Sequence, residues 1–353
     1  VTTTVGSILA VLLAGAAYAA AVLRRNRRLV RPPILGVDGA PLRGRTFTFS
    51  DGETVDYVDV GPTDDPASGD GHASAVSALF LVPGADGMKE TFRYQVPALA
   101  RRHRVICASL RERFAPDDTL DRMVDDVAEL ASAAGLERFV LLGQSLGGSI
   151  AMRFAVRDPE RATGLVLANT LARIGYEHVG LNRALLTPLA MFTTRYLPTA
   201  LGRAMARLWS RLDVWIYDSS PGGERVVDYA LWTGPRTVPS SVSSARVARL
   251  KKVDLRPQLP AIRAPTLVLK GPRDHYVPPA WSHEIASLVP GARYEEVPGT
   301  GHCSHVSMPG SFNRRLSRWL EAVARREAGA GASDGPNSPG IPGSPRLESE
   351  VCE

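Results

Sequence analysis

The stretch Phe139-Val-Leu-Leu-Gly-Gln-Ser-Leu-Gly-Gly148 constrains this chain more than any other. An apolar run of strand length meets Gly-Gln-Ser-Leu-Gly and passes at once into Ser149-Ile-Ala-Met-Arg-Phe-Ala-Val156, which has helical spacing. A strand that turns into a helix through G-x-S-x-G holds its serine in a strained conformation with the hydroxyl exposed. Ser145 is therefore the candidate nucleophile. Gly143, Gly147 and Gly148 keep side chains out of the space where strand and helix converge. Amides in the first turn of a helix lack intrahelical acceptors, so the Leu146 N–H is a candidate oxyanion donor.

The pattern around this elbow alternates strand with helix. Arg45–Ser50 and Thr54–Val60 flank Asp51-Gly52 as a hairpin, and Gly61–Ser74 reads as a polar surface loop. Ala78–Val82 and Arg104–Ser109 read as buried strands, Met88–Arg102 and Asp121–Ala134 as helices, and Gly164–Ala168 as the strand after the elbow. Such alternation predicts an α/β fold: a mostly parallel, doubly wound sheet of about eight strands. From Asn169 to about Leu255 the spacing is helical, with Trp209, Trp215 and Trp232 set among arginines, which predicts an inserted helical cap. The sheet resumes at Pro265-Thr-Leu-Val-Leu-Lys-Gly271 and ends at Ala292-Arg-Tyr-Glu-Glu-Val297, with a closing helix over Phe312–Arg326. The domains expected are an anchor and basic flank (1–31), a linker (32–44), a core in two parts (45–168 and 258–326), the cap (169–257) and a disordered tail (327–353).

A serine hydroxyl needs a base to take its proton, and that base needs an acid to fix its tautomer. In open parallel sheets these groups gather at the carboxyl ends of strands. Asp274 follows one such end and His302 another. Nearby groups have plainer readings: Asp86 as a helix cap, His275 as a bystander, Cys303 as pocket lining, and His305 as a surface or pocket-rim residue.

Three motifs, Gly143-Gln-Ser-Leu-Gly-Gly148, Gly271-Pro-Arg-Asp-His-Tyr-Val-Pro278 and Pro298-Gly-Thr-Gly-His302, resemble those of the α/β-hydrolase fold superfamily with a cap domain. The resemblance covers roughly Phe47 to Arg325. It implies Ser145 as nucleophile, His302 as base and then acid, Asp274 as its orienting carboxylate, and the amides of Leu146 and Ala85 as the oxyanion hole. It also implies a small apolar ester, thioester or lactone as substrate, with no cofactor. Two loops depart from the pattern: Pro83-Gly84 stands where the family has His-Gly, and Ser109-Leu-Arg-Glu-Arg-Phe-Ala-Pro116 where it has Asp-x-Arg-Gly-x-Gly. At these positions the chain is similar to the maspardin branch, which makes a non-catalytic adaptor an alternative. A perhydrolase or haloperoxidase shares the same three residues.

Val5–Leu23 carries no charge and is closed by Arg24, Arg25, Arg27, Arg28 and Arg31. Nineteen residues at about 1.5 Å each are just long enough for a hydrocarbon core of about 30 Å. The positives follow the apolar run, whereas a secretory signal peptide, the alternative, carries them before it. The chain is therefore expected to be a single-pass membrane protein, with the arginines against anionic lipid and the catalytic domain cytoplasmic. Those arginines carry much of the formal charge of +6, so it does not point to nucleic acid. The three cysteines have unrelated spacings, which fits neither a disulfide framework nor a metal site.

Overall fold

In the computed structural model, residues 2–28, 32–62, 78–175, 185–237 and 241–333 are described. The expected loop lies outside them from residue 63 to Ser74, as does the expected tail from residue 334.

Strands β1 (Arg45–Thr48), β2 (Thr54–Val60), β3 (Leu79–Val82), β4 (Val105–Ala108), β5 (Phe139–Gln144), β6 (Ala162–Ala168), β7 (Thr266–Lys270) and β8 (Arg293–Glu296) form one sheet. Its order is β1-β2-β4-β3-β5-β6-β7-β8. The β1–β2 and β2–β4 pairs are antiparallel and every later pair is parallel. The α/β fold read from the sequence is the fold observed. Successive strand residues point to opposite faces, so Phe80, Val82 and Leu141 join one apolar layer while Leu79, Leu81, Val140 and Leu142 join the other. Helices α3 (Leu120–Ala133) and α4 (Leu146–Arg157) bury Met123, Val127 and Ile150 in the first layer. The closing helix buries Phe312, Leu316 and Trp319 in the second. Each such side chain stabilises the fold by about 1.5–3 kcal/mol.

The segment Met88–Arg102 is not one helix. It forms a 3-10 turn at Lys89–Phe92 and a short α2 at Val96–Leu99. Pro97 lacks an N–H and its ring crowds the preceding turn, so a helix can start there but not run through it.

Between β6 and β7 lie α5 (Thr187–Tyr196), α6 (Thr199–Arg211), α7 (Gly223–Thr237) and α8 (Ser241–Leu250). They enclose a separate apolar cluster of Trp209, Trp215, Tyr217, Tyr229 and Trp232. Cys303 and Val306, which follow β8, join that cluster, so these helices pack against the segment after the last strand. After α9 (Pro279–Leu288) and the short α10 (Ser304–Ser307), helix α11 runs from Pro309 to Ser333, past the expected boundary at 326.

Helix α1 (Thr2–Arg27) rests its last two turns on α5 and α7. Val22 and Asn26 are buried there, and Asn26 Nδ2 donates to the Leu197 carbonyl at 2.9 Å. Thr199 Oγ1 donates to Asn26 Oδ1 at 3.1 Å.

Candidate active site

The chain reverses at Ser145 with φ 52° and ψ −121°, outside the regions open to most L-residues. Its amide donates to the Ala168 carbonyl at 2.9 Å and its carbonyl accepts from Thr170 Oγ1 at 2.6 Å, so β6 holds the turn in place. The need for glycine is steric at two positions. A Cβ on Gly147 would lie 2.1 Å from the Val82 carbonyl oxygen, and one on Gly143 would lie 2.3 Å from the Gly147 carbonyl oxygen.

His302 comes from the turn after β8 and Asp274 from the turn after β7. The two meet, with His302 Nδ1 2.9 Å from Asp274 Oδ2. Since Asp274 is an acceptor, Nδ1 carries the proton and Nε2 keeps its lone pair. Asp274 Oδ1 accepts from the Tyr276 and Val277 amides at 3.0 and 2.8 Å. Its Oδ2 also accepts from Asn169 Nδ2 at 3.1 Å and Lys270 Nζ at 2.5 Å. Burial alone would raise the Asp274 pKa, but the Lys270 cation and the His302 ring outweigh it and hold the carboxyl well below the ordinary range. For Lys270 burial prevails over the attraction of Asp274 and lowers the pKa.

Ser145 and His302 line one cavity of about 260 Å³ together with Ala85, Asp86, Trp215, Tyr229 and Cys303. Among the described residues no hydrogen bond joins Ser145 Oγ to His302. His302 Nε2 lies 3.4 Å from Gln144 Nε2. Catalytic hydrogen bonds in empty sites are often open and tighten around substrate.

Ala85 follows Gly84, where a Cβ would strike Gln144 Oε1 at 2.4 Å, so this loop lies directly on the elbow. Arg246, from α8, holds it there. Its Nη1 donates to the Ala85 and Asp86 carbonyls at 3.2 and 3.0 Å. Nη2 donates to those of Leu110 and Arg111 at 2.9 and 2.8 Å, and Nε to Arg111 again at 3.0 Å. All five guanidinium donors are thus engaged by neutral acceptors. Burial lowers its pKa to about 10. Both loops that depart from the family pattern are therefore fastened by one cap residue.

Asp86 does not cap the helical turn that follows, whose N-cap is Met88; it closes the loop before that turn by accepting from the Met88 amide at 3.2 Å, and it also receives the Tyr229 hydroxyl. Burial raises its pKa to about 6 against the pull of the Met88 N–H and the Arg246 charge. His305 is a correction: it is fully buried, 3.0 Å from Thr91 Oγ1, with its ring 5.5 Å from that of Phe92. Burial, then the neighbouring His302 and Arg93 side chains, lower its pKa to about 3, so it is a neutral packing residue. Cys303 lines the cavity, and burial raises its thiol pKa well above the ordinary value. No cluster of potential metal ligands occurs among the described residues.

Asn169, Lys270 and Arg246 went unrecognised in the sequence. The one signal available was Asn169 as the point where strand–helix alternation stops.

Comparison with known proteins places this arrangement. A sequence model of the alpha/beta hydrolase family matches residues 79–315. The chain is 30% identical over 264 residues to the polyketide synthase ThaQ of Burkholderia thailandensis, aligning 72% of its own length to only 12% of that protein. It is 26% identical to the putative carbamate hydrolase RutD of a Caulobacter species, with 72% of this chain and 94% of the relative covered. A hydrolase from Pseudomonas aeruginosa superposes with a TM-score of 0.60 at 26% identity, covering 79% of this chain and 98% of the other.

Proposed function

The chain belongs to the alpha/beta hydrolase family and is an enzyme of that family, and from that premise we propose that it is a membrane-anchored serine hydrolase acting on an ester, thioester or lactone. The observation that carries this reading is the hydrogen bond from His302 Nδ1 to Asp274, on a ring that shares its cavity with a serine at positive φ.

In this mechanism Ser145 Oγ attacks the substrate carbonyl as His302 Nε2 takes its proton. The oxyanion receives the Leu146 and Ala85 N–H groups, and His302 returns the proton to the departing alcohol, thiol or ring oxygen. Water then gives a proton to His302 and its hydroxyl to the acyl carbon, and on collapse His302 passes that proton to Ser145 Oγ, releasing the acid and the free serine. The apolar walls offered by Trp215, Ile216 and Met191 suit an apolar acyl group. The apolar stretch in α1, closed by arginines, is the anchor, and the positive-inside rule puts the enzyme on the cytoplasmic side.

Labelling by a fluorophosphonate probe tests the reading. Wild type should label, and Ser145→Ala and His302→Ala should not. A folded wild type that stays unlabelled would remove the serine mechanism.

A further inference from the structure

Among the described residues, the large apolar side chains left exposed are confined to three places: α1, the segment just after it at Leu35 and Val37, and the α5–α6 arm of the cap. The sheet and its covering helices contribute none. On α6 and at its C-cap, Leu201, Leu208 and Leu212 are 51, 43 and 51% exposed, while Gly202, Ala206 and Trp209 on another side of the helix are buried. Their spacing of seven and four puts them along one side of the helix. Leu185, Leu189 and Phe192 form a similar row on and just before α5, at 60, 46 and 54% exposure. These helices thus carry two apolar faces, one turned into the cap and one outward.

The position of α1 says what the outward face meets. On the reading of α1 as a membrane span, Arg24, Arg25 and Arg28 mark the headgroup level, and the uncharged residues just before them lie inside the hydrocarbon edge. Ala19, Val22 and Leu23 are the ones the protein covers, where α1 packs on α5 and α7, whereas Val11–Tyr18 are exposed. Asn26, bonded at Leu197 and Thr199, fixes the turn between α5 and α6 at that same level. A cap that touches the span before its arginines cannot stand clear of the leaflet.

We propose that the outer face of α5 and α6, carrying Leu189, Phe192, Leu201, Leu208 and Leu212, is embedded in the interface of the anionic leaflet. The chain would then be held by two elements, the span and an in-plane apolar surface. This rests on the anchoring part of the proposed function and not on its serine chemistry.

The test uses the full chain carrying Cys352→Ser, reconstituted in vesicles of phosphatidylcholine and phosphatidylglycerol. Nitroxide labels are placed at Phe192→Cys, Leu208→Cys and, as a control on the body, Glu160→Cys. Each label is probed by oxygen, which concentrates in lipid, and by a nickel chelate, which stays in water. The expected result is an oxygen-to-nickel ratio several-fold higher at 192 and 208 than at 160. If the chain floats with the vesicles but all three ratios agree, the docking surface is overturned while the anchor stands. Labels at 192 and 208 shielded from both reagents and dipolar-broadened would place a second copy there instead, which also overturns it. A chain that fails to float overturns anchor and surface together, and fluorophosphonate labelling of the same sample reports the serine chemistry separately.

Discussion

Lys270 Nζ lies 2.5 Å from Asp274 Oδ2, and both side chains are wholly buried. The oxygen that receives His302 Nδ1 is therefore shared with a cation four residues back on the same strand end. Removing one member of a buried pair leaves the other uncompensated, at about 3–5 kcal/mol. Lys270→Met should lose stability of that order at neutral pH. Asp274 has a depressed folded pKa, so its contribution is present above the ordinary carboxylate value and fades as pH falls through the folded one. The deficit of the variant should accordingly shrink in acid. Urea titrations at several pH values check this, and a deficit that stays constant below the carboxylate range counts against it.

Asp86 gives the opposite slope. Its folded pKa of about 6 lies above the ordinary 3.8, so between those values the folded state holds the proton the unfolded chain has released. Stability falls as pH rises through that window, by up to about 3 kcal/mol at 1.36 kcal/mol per unit. Asp86→Asn retains an oxygen for the Met88 amide and has no proton to lose. Its unfolding free energy should rise relative to wild type from pH 4 to pH 7, and equal slopes for the two proteins would refute the assignment.

At Ser145 the positive φ is a cost to the fold. Such strain is on the order of 1–3 kcal/mol for a non-glycine residue, and glycine avoids most of it. Ser145→Gly should melt higher than wild type while losing probe labelling. A melting temperature at or below that of Ser145→Ala would mean that the turn is not strained.

Arg246→Ala should lower kcat far more than it raises KM, because the variant leaves the loop bearing the Ala85 amide untethered. Losing one oxyanion donor costs about 100- to 1,000-fold in kcat in comparable sites. Millimolar guanidinium should restore part of the activity by filling the vacated space. A folded variant with wild-type kcat would separate the cap residue from catalysis.

Much of this molecule is legible locally. Strand periodicity gives the sheet, and the elbow announces itself because the sterics at Gly143 and Gly147 act between residues a few positions apart. Asp274 and His302 are legible because each stands in a short motif. What escaped is non-local. Arg246 acts on carbonyls 161 and 136 residues away, and an arginine in a basic helix gives no hint that its partners are main-chain oxygens. Lys270 reads as the polar end of a strand until folding shows that the side chain turns inward. His305 was misread because burial of a histidine depends on Phe92 and Phe312, neither of which its neighbours in sequence reveal.

The attachment of Arg246 also bears on how such a protein can diverge or be recombined. Insertions between strands are commonly regarded as exchangeable modules, free to vary while the parent scaffold keeps its chemistry. Here the insertion supplies a structural member of the scaffold, and the guanidinium occupies the space that a Cβ on Gly87 would need. A chimera that imports a foreign cap would inherit two loose loops and a vacancy beside Gly87. The unit of inheritance is the cap together with the segments 84–87 and 110–111, and grafts cut at β6 and β7 alone should yield folded but crippled proteins.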